Sequence, residues 1–175
     1  KPLTVLKEGL TSYVFSNDIR DVLEVEVNAP HDIRNLVRGS NKLTIVFNGA
    51  SRNDNDQFKV VLFNFMQKLN LYSPVLNKIY MFGTFYYIGD EDGDWFDSKG
   101  NKTAKPVFNE PVIWLKGPNT GAAGTSIELE NNIVYLSGTS GKNLSLAADR
   151  LNLLIMGYDS VEDIKKGGAQ ITDKV

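Results

Sequence analysis

The chain contains no cysteine and a single histidine, His31. The first absence excludes disulfides, thiolate zinc sites, iron–sulfur clusters and cysteine nucleophiles together. The second means that multi-imidazole metal sites and most Ser–His–Asp arrangements run through His31 or do not exist. His31 follows Pro30 at the start of an expected helix, with no serine or acidic pattern beside it. It therefore reads as a surface or capping residue rather than a general base. No Gly-x-Ser-x-Gly elbow and no His-Glu-x-x-His occurs. No apolar run approaches the roughly 20 residues that a membrane-spanning helix needs.

A surplus of charge is missing too. Nineteen Lys and Arg stand against 21 Asp and Glu, a formal net charge of -2. The basic residues are scattered and only Lys165-Lys166 are adjacent, so there is no polybasic arm and no nucleic-acid partner is expected. The first residues are Lys1-Pro2 rather than Met. The expectation is a processed piece from which a signal or anchor has been removed, in an anchored or extracytoplasmic protein. Two sequons, Asn101-Lys102-Thr103 and Asn143-Leu144-Ser145, fit that setting.

What is present reads as one continuous domain over residues 1–175. At 175 residues and 42% hydrophobic content the chain is long enough for a substantial core, and it has no internal repeat, low-complexity segment or linker. "TSYVFS" (11–16) has strand composition, "NDIRDVL" (17–23) that of a short capped helix, and "EVEVN" (24–28) alternates as a half-exposed strand does. "APHDIRNLVRG" sets Pro30 at a helix start, Ile33, Leu36 and Val37 on one face, and Gly39 as the stop. "KLTIVFNGA" (42–50) is nearly all apolar, the mark of a strand covered on both faces. In the helix that follows, Phe58, Val61, Leu62, Phe65 and Leu69 fall on one stripe, Asp54 or Asp56 supplies the cap, and Pro74 ends the segment.

The middle of the chain is β-rich. "KIYMFGTFYYIG" (78–89) places Tyr80, Phe82 and Tyr86 on one face of a strand and Met81, Phe85 and Tyr87 on the other, unless Gly83 introduces a bulge. "PVIWLKG" (111–117) is another strand. "TSIELENNIVYLSG" is a hairpin turning at Asn131-Asn132, a pair that tolerates positive φ. "NLSLAADRLNLLIMG" is the last helix, apolar on one side and stopped by Gly157. The tail 167–175 is expected to fray. Helices interleaved with strands give an α/β domain with a mixed sheet, helices packed on it, and a β-rich insert around 78–136.

Two glycine-rich loops invite a phosphate-binding reading. "LSGTSGKNLS" has the strand, the Gly-Lys and the helix of a phosphate loop. However, only Thr139 and Ser140 lie between Gly138 and Gly141 where four residues are needed, and Asn143 stands in place of the magnesium-binding hydroxyl. Gly138, Gly141, Lys142 and Asn143 remain the candidate ligand loop for a small anion. "GPNTGAAGTS" (117–126) leads into a strand, not a helix, and reads as a wide surface loop. In the acidic insert, Asp90, Asp92 and Asp94 alternate as the start of a calcium loop does. The sixth position is Trp95 rather than glycine and the twelfth Asn101 rather than glutamate, which leaves a solvated hairpin tip or a weak, irregular Ca2+ site on those three residues. The aromatics Tyr86, Trp95 and Phe96 form a candidate interaction patch.

No motif is specific enough to mark a family. The expected function is a non-catalytic interaction or structural module that binds another protein or its own copies, with no catalytic residues. The alternative is a metal-assisted hydrolase, or a binder of a small anionic ligand, that uses residues 90–97 or 138–143.

Overall fold

The computed structural model describes residues 3–49, 52–71 and 76–174. Four apolar segments build the middle of the main sheet: β4 (Lys42–Asn48), β5 (Met81–Ile88), β8 (Val112–Lys116) and β10 (Ile133–Ser137). They pair in parallel in the order β5-β4-β8-β10. Their near-continuous hydrophobicity follows from burial on both faces, and β4 is buried at six of its seven positions.

Shorter strands extend the sheet on either side. β9 (Ser126–Glu130) runs antiparallel to β10 and carries β3 (Glu26–Val27) on its outer edge, while β6 (Asp94–Asp97) and β7 (Lys102–Thr103) extend the other side from β5. The β9–β10 turn falls at Asn131-Asn132, and Asn131 takes the left-handed conformation with φ 55°. Register along β5 is unbroken from Met81 to Tyr87, so Gly83 introduces no bulge.

Helix α3 (Arg52–Leu71) links β4 to β5, and α4 (Gly141–Met156) follows β10. Both lie on one face of the sheet, where Phe58, Phe65, Leu144 and Leu151 share a core with Ile45, Phe47, Leu115 and Leu136. Because α3 already begins at Arg52, Asp54 and Asp56 sit inside its first turns rather than at its cap. Pro74 lies outside the described residues. The opposite face carries a separate aromatic cluster, with Val46, Tyr87, Trp95, Val112 and Trp114 buried and Phe108 and Tyr135 packed against them. The chain crosses from β4 to β5 and then back past β4 to β8, a reversal that marks a topological switch between β4 and β8.

A second, three-stranded sheet orders β11 (Gln170–Lys174), β1 (Leu3–Glu8) and β2 (Thr11–Phe15). Its residues Leu6, Tyr13 and Phe15 belong to the same core as the helices. The tail expected to fray, 167–175, contains β11. β11 pairs with β1 from Leu3↔Lys174 to Lys7↔Gln170, and Ala169 is buried. Backbone groups that would otherwise form an open strand edge are satisfied, and Ile171 packs on the core.

Helix α4 differs from an ordinary one-sided helix in a related way. It packs on α3, on β10, on α1 (Ile19–Val22) and on α2 (Pro30–Arg38), so every residue from Ala147 to Met156 is buried, including Asp149, Arg150 and Asn152. Its C-terminal carbonyls are met from α2: Arg34 Nε donates to Leu154 O at 2.7 Å and Arg38 Nε to Ile155 O at 2.7 Å. Gly157, at φ 103°, closes the helix in a Schellman turn, with Tyr158 N donating to Leu153 O. The last short helix, α5 (Val161–Lys166), leads into β11.

Candidate functional site

The junction between β10 and α4 holds the candidate ligand loop. A side chain at Gly138 would place its Cβ 2.3 Å from Leu144 N, so the close approach of helix to strand dictates glycine there. Ser140 Oγ caps α4 by accepting from Asn143 N at 3.1 Å. Asn143 Nδ2 donates to Thr139 Oγ1 at 2.9 Å, and Gly141 is the first helical residue. The loop is thus held by its own bonds, and Lys142 lines the clefts beside it. In the other glycine loop, Gly117 is pressed against the Phe58 ring and Gly121 is left-handed at φ 73°.

The acidic insert forms the β5–β6 turn. Asp90 Oδ1 accepts from Asp92 N at 2.9 Å, an Asx turn. Asp94 opens β6 and faces Lys102 Nζ at 3.2 Å, with both side chains exposed. Among the described residues no three His, Asp or Glu side chains converge as a metal site would require.

Strand pairing divides the three candidate patch residues. Tyr86 opposes Phe96 and Tyr87 opposes Trp95. Successive side chains on a strand point to opposite faces, so Trp95 joins the aromatic cluster on the sheet's other face, where it is 1% exposed. Its indole N–H donates to Glu91 O at 2.8 Å. Burial pushes the Tyr87 and Tyr135 hydroxyls of the same cluster above the ordinary tyrosine value.

Tyr86 and Phe96 remain on the helix-bearing face. Phe47, Tyr86 and Phe96 form a stacked row across three strands, with centroids 5.6 and 5.1 Å apart and planes within 21°. Phe58 of α3 packs on Phe47, with ring centroids 5.5 Å apart.

The result is a trough with α3 as one wall, β5 as its floor and the β6–β7 turn at one side. One part, a pocket of about 490 Å3, lies between Lys59, Phe63 and Met66 of α3, Tyr86 on the floor, and Lys99 and Gly100 from the β6–β7 turn. A second part, of about 500 Å3, continues past Phe63 and Met66 to Leu71 and Phe82. On the α3 wall, Phe63 and Leu71 are 62 and 52% exposed. A contiguous apolar surface of this kind marks an interaction site more often than a plain exterior does.

Sequence reasoning located Tyr86 and Phe96 but missed the α3 wall, although the signal was present. Besides its core stripe, α3 carries Phe63, Met66 and Leu71 toward the trough, a second set of apolar positions on another side. Compared with known proteins, the chain matches no family model, no curated protein and no solved structure.

Proposed function

We propose that the chain is a non-catalytic interaction module that docks a partner protein in the trough between α3 and β5. The observation that carries this reading is the second apolar set of α3 beside a row of stacked rings. Leaving Phe63 and Leu71 in water brings no folding benefit, whereas covering each by a partner is worth about 1.5–3 kcal/mol when complete. The anchored or extracytoplasmic setting belongs to the same proposal. It is supported by Asn101, which stands exposed at the β6–β7 turn where a glycan can be attached; Asn143 is instead tied to Thr139 within α4.

A photoreactive phenylalanine analogue at position 63, compared with one at the fully exposed Leu10 in the β1–β2 turn, tests the reading. Cross-linking in the source cells should yield a discrete protein adduct at 63 and not at 10. The purified adduct partner should then bind the unmodified chain and lose that binding to Phe63→Asp. Equal labelling at both positions, or none, would remove the trough as a docking site.

A further inference from the structure

Lys68, Asn17 and Asp149 come from three separate parts of the chain and meet in one buried place. Lys68 stands in the last turn of α3, Asn17 between β2 and α1, and Asp149 in the middle of α4. Lys68 Nζ lies 3.4 Å from Asp149 Oδ1, while Asn17 Nδ2 donates to Asp149 Oδ2 at 2.9 Å. One carboxyl therefore holds a primary amine on one oxygen and a carboxamide on the other. Asn17 Nδ2 also donates at 3.0 Å to Oγ of Ser145, which lies one helical turn before Asp149. Asn17 and Asp149 are 6 and 4% exposed, and Lys68 Nζ lies 5.0 Å from the Phe15 ring centroid.

The backbone keeps the amide in place. Thr4 Oγ1 donates to Asn17 O at 2.8 Å and accepts from Ile19 N at 3.1 Å, which pins the loop on both sides of Asp18. Two clefts reach the cluster from outside. Asn17 lines one of about 430 Å3 and Ser145 another of about 460 Å3.

This set holds more than an ion pair needs. An amine attacks a carboxamide when it has given up its proton and the carbonyl oxygen is polarised. Burial raises the Asp149 carboxyl above its ordinary value and so favours its neutral acid, and the proton at hand is the one on Lys68. A half-turn of the Asn17 amide about Cβ–Cγ brings Oδ1 to the place of Nδ2. There it accepts from the protonated Asp149 and from the Ser145 hydroxyl, two donors at the oxygen that becomes negative in the addition.

We propose that Lys68 and Asn17 join through an intramolecular isopeptide bond, with Asp149 as the proton carrier and ammonia as the leaving group. Rotation of the flexible Lys68 stem brings the amine to Asn17 Cγ, where the new C–N bond forms. Asp149 takes a proton from the attacking nitrogen and delivers it to the departing Nδ2, and the old C–N bond breaks. Ammonia leaves through the clefts with the proton that Lys68 first carried. The sum converts one ammonium and one carboxamide into a secondary amide and an ammonium ion, so atoms and charge balance without a co-reactant. The bond gives a chain without cysteine a covalent tie between α3 and the loop before α1. It is independent of the docking reading. In the linked chain Lys68 carries no charge, so the cation that opposes the rise of the Asp149 carboxyl is gone.

The test is the mass of the folded chain. Protein purified without denaturant and incubated at neutral pH should be lighter than its sequence by one ammonia, about 17 Da. A tryptic digest should contain a branched peptide joining residues 8–20 to residues 60–78, uncut after Lys68. Lys68→Arg, Asn17→Ala and Asp149→Asn should each keep the full mass, as should the parent held in urea. Ser145→Ala, which takes away one donor, should slow the loss about tenfold or more. Circular dichroism of each variant is recorded first, and Lys68→Arg, which keeps the charge beside Asp149, is read if the other substitutions unfold the chain.

A folded parent of full mass would overturn the proposal. So would loss of ammonia without the branched peptide, since asparagine cyclising on its own backbone gives the same change in mass. A branched peptide that still forms in folded Asp149→Asn would overturn it as well, because the proton carrier is then missing.

Discussion

Single residues in this protein are constrained by how closely backbones approach. Gly138 and Gly124 make the contrast. Both lie in small-residue loops, but an added Cβ at Gly138 would collide with Leu144 backbone while one at Gly124 meets nothing within 4 Å. Backbone cannot swing aside as a flexible side chain can, so Gly138→Ala should cost about 3 kcal/mol or more in urea denaturation. Gly124→Ala should stay within about 0.5 kcal/mol of the parent. A tolerated alanine at 138 would mean that α4 does not press on β10 as described. Tyr80 shows a similar constraint through a polar atom. Its buried hydroxyl donates to Val37 O at 2.9 Å, and burial pushes its pKa to about 12.

Between elements, the decisive polar contact joins α3 to α4. Lys68 Nζ lies 3.4 Å from Asp149 Oδ1, and Asn17 Nδ2 donates to Asp149 Oδ2 at 2.9 Å and to Ser145 Oγ at 3.0 Å. Burial raises the Asp149 carboxyl above the ordinary value of 3.8, and the Lys68 charge and the Asn17 hydrogen bond oppose that rise without cancelling it. A carboxyl whose folded-state pKa exceeds its unfolded value holds its proton more tightly in the fold. Its contribution to stability is therefore greatest below the unfolded value and declines as pH rises through the folded one.

Asp149→Asn removes this titration. The stability of the parent minus that of the variant should consequently shrink as pH climbs from about 4, measured by denaturant unfolding at each pH. A difference that grows with pH would show that pairing with Lys68, rather than desolvation, governs the site.

At the scale of the whole molecule, the two ends of the chain meet in one small sheet. Paired residues of β11 and β1 lie 163 to 171 positions apart in sequence, yet β11 closes an edge beneath which Leu6, Tyr13 and Phe15 are buried. Removing residues 170–175 deletes that strand and uncovers the core around Ile171. A loss of about 2 kcal/mol is expected from the apolar area alone, equivalent at this chain length to a Tm lower by about 4–8 °C. An unchanged Tm would mean that the strand is ornamental.

What the amino-acid order determined alone is local: the Pro30-to-Gly39 limits of α2, the Asn131-Asn132 turn, the Gly157 stop and the alternating faces of β5. Each depends on groups within about four residues of one another, through a fixed φ, a missing N–H, a cap or a period of 2.0 or 3.6. Strand alternation alone also places Trp95 and Phe96 on opposite faces, so the division of that patch was legible from their adjacency. The strand in the tail, the all-round burial of α4 and the trough were decided only in three dimensions. β11 exists because β1 offers it an edge, and Asp149 is buried because α3 and the loop at Asn17 close over it. The trough exists because α3 stands beside β5, with Phe63 and Met66 facing Phe82 and Tyr86 across an open gap. Such features depend on which elements become neighbours, a property of topology that no local period encodes.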